Sequence, residues 1–304
     1  MYDISGNRLY LMGWAILFVL LYHFFGCTRN IFGDLNIGYV GVDIFLFLSG
    51  YGLTNSFRKN KWYVFYERRM KRLYPLYFLL VIVLTILKKD NSISHMIYNL
   101  STLSFWVEGG GSRVDWYLQS LFALCLAFPL FYKISIRIWS PFIFFIIISL
   151  CLYKFNVFFI EHWWYACLLG RIPIFMLGIL FCLSESYVRY LKYFCVGGAI
   201  LFLPVFLYVN PFIGISLLAL PIICILLYIR KFLHKKIAEY LKFLGTITLE
   251  LYISNLVVLY LVNTYCHMTR IRVIGYIICQ VFISYLFVKI NHYIRIKLQW
   301  KFQS

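Results

Sequence analysis

Apolar runs of 15 to 21 residues recur along the chain, each closed by polar or basic residues. They fall at 9–26, 38–56, 73–87, 116–132, 139–155, 163–183, 193–209, 212–229, 243–263 and 273–290. A helix needs about 20 apolar residues to cross a bilayer, so this pattern predicts ten membrane-spanning helices. The third run is the shortest, and a tight Asn210-Pro211 turn separates the seventh from the eighth. Residues 91–106 are half polar and are expected to lie at the membrane interface without crossing it. The run Gly109-Gly110-Gly111 after them reads as a flexible joint. Leu9 to Phe25 lacks a strongly basic lead and a small-x-small cleavage site, which predicts a retained first span. No internal repeat or second domain is visible. The expected architecture is a single all-α polytopic bundle over residues 1–304.

Composition sharpens this picture. Of the 304 residues 63% are apolar and 13% charged, with a mean hydropathy of +0.82. Soluble domains average about 45–50% apolar and about 25% charged. A disordered chain, a disulfide scaffold and an ordinary cytosolic enzyme are therefore excluded. The net charge of +18 would suggest nucleic acid in a soluble protein, but here it follows topology. With the N-terminus inside, 21 Lys and Arg fall in cytoplasmic segments, 7 fall outside, and Arg171 lies within a span. That bias orients the chain with both termini cytoplasmic. The partner is then the lipid bilayer, and no nucleic acid is required. The nine cysteines form no CxxC pair and mostly lie in apolar runs. They read as small core side chains, and no metal is expected.

Four ionisable residues lie well inside the predicted spans: His23, Asp43, Arg171 and Glu250. A charge at the bilayer centre costs about 2.5–3.5 kcal/mol on insertion scales, so each marks either function or a structural pair. His23 and Asp43 lie near the outer ends of spans one and two, at depths that can coincide. A carboxylate beside an imidazole fixes its tautomer and orientation, and a neutral His is a competent general base near neutral pH. A second constellation is the loop Arg58 to Arg72, with seven positive charges and one negative. On a helix, Arg68, Arg69 and Arg72 would line one edge, with guanidinium forks suited to phosphate oxygens. The alternatives are a positive-inside determinant or a clamp on lipid headgroups.

These segments, in this order, resemble acyltransferase family 3, integral membrane enzymes that acylate, most often acetylate, bacterial surface glycans. Val19-Leu20-Leu21-Tyr22-His23 is like the family's aliphatic run closing on a histidine. Gly41-Val42-Asp43-Ile44-Phe45-Leu46-Phe47-Leu48-Ser49-Gly50 resembles its GVDxFFxxSG. Arg68-Arg69-Met70-Lys71-Arg72-Leu73-Tyr74-Pro75 resembles its RRxxRxxP. Trp116-Tyr117-Leu118, Arg171-Ile172-Pro173 through Gly178, and Leu244-Gly245 with Glu250-Leu251-Tyr252 are similar to later motifs. Two positions depart. Met12 stands where the family usually has Arg or Lys, with Arg8 a candidate substitute one turn below. Asn255 stands where the helix often ends on His.

The resemblance implies a donor, acetyl-CoA made in the cytoplasm, and an acceptor, a polymeric or lipid-linked saccharide, at the plasma membrane. Arg68, Arg69 and Arg72 would hold the CoA phosphates, and the narrow pantetheine arm would reach into the bundle. His23 would remove the sugar hydroxyl's proton, oriented by Asp43, either in direct transfer or through a covalent acyl-histidine. Trp116 and Tyr117 would stack on a sugar ring or form an ordinary interfacial belt. Arg171 and Glu250 would pair with each other and hold two helices together. No appended esterase-like domain is expected, and the acyl group could be longer than acetyl. The rival from another class is a transporter or flippase, which would be expected to show inverted repeats and paired Gly/Pro-broken helices. Neither is evident.

Overall fold

The computed structural model describes residues 3–27, 36–89, 92–108, 116–137, 139–183, 191–265 and 269–297. The glycine run at 109–111 lies outside them. The described residues are mostly helical, with short turns between helices and no strand among them. The helices are α1 (Arg8–Cys27), α2 (Val40–Lys59), α3 (Trp62–Leu87), α4 (Ile93–Leu100), α5 (Leu103–Glu108), α6 (Trp116–Leu126), α7 (Phe128–Ser135), α8 (Ser140–Lys154) and α9 (Asn156–Glu161). There follow α10 (Trp163–Leu169), α11 (Ile172–Leu183), α12 (Leu191–Tyr208), α13 (Pro211–Ser216), α14 (Ala219–Ile229), α15 (Lys235–Thr246), α16 (Thr248–Tyr265) and α17 (Thr269–Lys297).

Among the described residues six helical stretches are long and apolar enough to cross a membrane: 8–26, 62–87, 163–183, 191–208, 211–229 and 273–294. Two further pairs, broken at Ala127 and Ile247, bring the number to eight. The ten predicted spans are thus not all matched by length and composition. The difference lies in α2, diluted by Asp43, Asn55, Arg58 and Lys59, and in α8, only 15 residues long. The break between α6 and α7 bends the path by 65°, with Pro129 in the first turn of α7, where its missing N–H is tolerated. Asn210 caps α13, its Oδ1 accepting from the Phe212 N–H at 2.9 Å, and Pro211 opens that helix. The half-polar segment after residue 90 forms α4 and α5, each far too short to span.

The largest departure concerns the basic segment, expected as a loop before a span beginning at residue 73. The structure makes α3 a single 26-residue helix from Trp62. Only Asn60 and Lys61 separate it from α2, and Asn60 is extended (φ −132°, ψ 153°). Arg, Lys, Glu and Met are strong helix formers, and Pro75 is tolerated inside the helix.

The chain divides into two compact units: residues 1–18, 39–61 and 120–246, and residues 19–38, 62–119 and 247–304. In the first, α2 and α11 form a close seam. A Cβ on Gly50 would overlap the Phe175 carbonyl oxygen, and one on Gly178 would overlap that of Phe47. Small residues let backbones approach closely in lipid, where packing replaces the hydrophobic drive. The Phe47 and Phe181 rings pack edge to face beside the seam, 5.7 Å apart. Tyr10 of α1 donates to the Leu226 carbonyl of α14 at 3.1 Å. In the second unit α16 runs against α17 and α3. Tyr260 Oη donates to the Leu87 carbonyl at 3.3 Å, tying the end of α3 to α16.

Candidate active site

Within the first unit, Asp43 and Arg171 are both fully buried and form an ion pair, Nε to Oδ1 at 3.1 Å. Asp43 lies in the first turn of α2, where a carboxylate suits the helix dipole. Arg171 occupies the turn between α10 and α11. Its Nη1 donates to the Cys167 carbonyl at 2.9 Å, satisfying one of the acceptors that α10 leaves open at its end. The guanidinium also lies over the Tyr39 ring, 4.7 Å from its centroid. In each motif the charged residue precedes the glycine by seven positions, about two helical turns. The ion pair and the glycine contacts therefore lie on one seam between parallel helices.

Within the second unit, half-buried His23 on α1 meets Asn255 on α16, Nδ1 to Oδ1. Asn255 is fully buried, and its Nδ2 donates to Tyr276 Oη and to Gln280 Oε1, the latter at 3.0 Å. Tyr276 Oη donates in turn to the Leu20 carbonyl of α1 at 3.1 Å. Gln280 Nε2 donates to Ser254 Oγ at 3.2 Å and Ser284 Oγ at 2.9 Å. These partners differ from the sequence reading, which gave Asp43 the task of orienting His23 and paired Arg171 with Glu250. Asp43 takes Arg171, His23 takes Asn255, and buried Glu250 accepts a hydrogen bond from Asn291 of α17. Residue type alone could not settle which acid meets which base, because the seams between helices decide it.

Arg68, Arg69 and Arg72 are half-buried on α3, with Arg69 set over the Phe65 ring at 5.8 Å. Lys71 pairs instead with Glu67 on the exposed side. Trp116 and Tyr117 are buried at the start of α6. The Tyr117 ring meets that of Tyr252 on α16 edge-on, 5.0 Å between centroids. Two residues on, Gln119 Nε2 donates to Tyr77 Oη of α3 at 2.9 Å. Tyr252 thus lies near the level of Tyr77, and Tyr260 near that of Leu87, so α3 and α16 run the same way. At 1.5 Å per residue, Asn255 stands about 12–15 Å along the axis from Arg72, on the side away from the start of α3. Among the described residues no three His, Cys, Asp or Glu side chains gather as a metal site.

Sequence reasoning missed Tyr276, Gln280 and Ser284, because 273–290 read only as an apolar span, and Asn291, which lies just past that span's end. A signal was present: Tyr276, Gln280 and Ser284 recur every fourth residue, a polar stripe on one helix face.

A polytopic all-α chain with such polar groups held among apolar helices is a membrane protein built around interior chemistry. A family model described as an acyltransferase domain, that of acyltransferase family 3, matches residues 10–289. The chain belongs to this family, and the match runs through both units. It is a membrane acyltransferase. No curated protein and no solved structure matches the chain.

Proposed function

We propose that this enzyme transfers an acetyl group from cytoplasmic acetyl-CoA to a hydroxyl of a surface glycan or its lipid-linked precursor, at the plasma membrane with both termini inside. The observation that carries the reading is the pairing of His23 with a buried Asn255, about 12–15 Å along the helix axis from the Arg72 end of a basic edge. Arg68, Arg69 and Arg72 hold the CoA phosphates through charge-assisted hydrogen bonds, and the pantetheine arm covers the axial distance to the imidazole. The acceptor hydroxyl gives its proton to His23 as its oxygen attacks the thioester carbon. The carbon–sulfur bond breaks, CoA leaves as the thiolate, and the imidazolium returns the proton to that sulfur. General-base assistance of this kind contributes about 10²–10⁴-fold. Trp116 and Tyr117 bound the acceptor side.

The test is the His23→Ala variant, expressed at the native membrane level in cells lacking the native gene. Alkali-labile acetyl on the surface glycan should fall to the level of cells without the gene. Undiminished acetylation would remove His23 from the chemistry. Solute movement in proteoliposomes without any transfer from labelled acetyl-CoA would point to a transporter.

A further inference from the structure

We infer that Asn255, locked by Gln280 and Tyr276, is a positioning residue that fixes His23 in the tautomer with its proton on Nδ1, leaving the Nε2 lone pair for the acceptor hydroxyl. The inference rests on the general-base role of His23 proposed above and deepens it. Two backbone carbonyls, which can only accept hydrogen bonds, set the direction of the network.

The Ser254 hydroxyl donates to the Leu251 carbonyl at 3.0 Å, and the Tyr276 hydroxyl donates to the Leu20 carbonyl at 3.1 Å. With its proton committed, Ser254 accepts from the Ser284 hydroxyl at 2.8 Å and from Gln280 Nε2. Ser284 accepts the other Gln280 N–H. Both amide protons of Gln280 are thereby used, and its Oε1 is turned toward Asn255 as an acceptor. Tyr276 Oη, its own proton spent on Leu20, is an acceptor too. Asn255 can satisfy these two acceptors only with its two Nδ2 protons, so its Oδ1 faces His23 Nδ1. A carbonyl oxygen there demands a proton on Nδ1. In neutral imidazole the other nitrogen then carries the lone pair. The network thus assigns the tautomer through six side chains on three helices, with no ionised group.

The experiment reads the ring directly. The chain has six histidines. In ¹⁵N-histidine-labelled protein in lipid, the signal pair missing from His23→Ala belongs to His23. At a pH where the ring is neutral, the native protein should show a protonated Nδ1 and an unprotonated Nε2. Asn255→Leu, close to isosteric, should give a mixture of tautomers. Its turnover with labelled acetyl-CoA, in membrane vesicles carrying the host glycan, should fall about tenfold, the worth of one buried hydrogen bond, with KM for acetyl-CoA within about twofold. Gln280→Leu should shift the tautomer ratio the same way by less, and it keeps the test open if Asn255→Leu fails to fold. A native spectrum with the proton on Nε2, or variants that leave the ¹⁵N pattern unchanged, overturns the inference while His23→Ala stays inactive. Full transfer by His23→Ala overturns instead the general-base reading itself.

Discussion

Asp43 offers the sharpest test of structural against chemical roles, because its partner is fully buried with it. The Arg171–Asp43 separation is 3.1 Å, which at an effective dielectric constant of about 20 corresponds to about 5 kcal/mol of attraction. Much of that is offset by the cost of taking both charges out of water. Removing one partner does not recover the cost, since the other charge stays buried, and such truncations destabilise by about 3–5 kcal/mol. Asp43→Ala should fall at the lower end, because Arg171 keeps the Cys167 carbonyl and the Tyr39 ring. Arg171→Ala should cost more, since it loses those contacts as well. Replacing both, as Asp43→Leu with Arg171→Met, leaves no stranded charge and should lie within about 1–2 kcal/mol of the native protein. The assay is unfolding of purified protein in detergent micelles, followed by circular dichroism over a denaturant series, with acetyl transfer measured in parallel. Two results would refute the reasoning. One is Asp43→Ala that unfolds like the native protein yet transfers no acetyl. The other is a double variant no more stable than the worse single one.

On α3, Arg69→Ala should raise KM for acetyl-CoA about tenfold, the loss of one charge-assisted contact of about 1.5 kcal/mol, and leave KM for the acceptor unchanged; steady-state kinetics on both substrates check it. On the seam of α2 and α11, Gly178→Ala should destabilise by about 1–3 kcal/mol through overpacking, since the added carbon overlaps the Phe47 carbonyl. Gly197→Ala on α12, where a Cβ meets nothing within 4 Å, should be neutral or stabilising by about 0.5–1 kcal/mol; the same unfolding assay separates the two.

The helical, membrane-embedded character of the chain was legible because lipid admits few backbone solutions, and long apolar runs declare it. Boundaries were less legible where amphipathic residues extend a span. The segment from Trp62 to Arg72 reads as punctuation by hydropathy, yet its residues favour helix, and α3 starts eleven positions early. The individual polar residues at issue were visible as exceptions to hydropathy: His23, Asp43, Arg171 and Glu250 all stand out. Their pairing was not visible, because it depends on which helices touch. Asn255 was noticed only as a departure from a family pattern, and Gln280 and Ser284 were absorbed into an apolar average.

Asp43 to Gly50 and Arg171 to Gly178 are two copies of one device, a charge and a glycine two turns apart, facing each other across parallel helices. The glycines let the backbones close, and close backbones bring the buried charges within bonding distance. Neither half works alone: an isolated buried ion pair is costly, and a glycine seam without it lacks a register mark. Asp43 and Arg171 thus have a packing role that needs no part in bond making. In the reading proposed above, the chemistry falls to the second unit, where an uncharged network holds the His23 imidazole. A neutral amide there has a physical advantage over a carboxylate, because it fixes the ring without drawing a proton onto Nε2, and so leaves the base free.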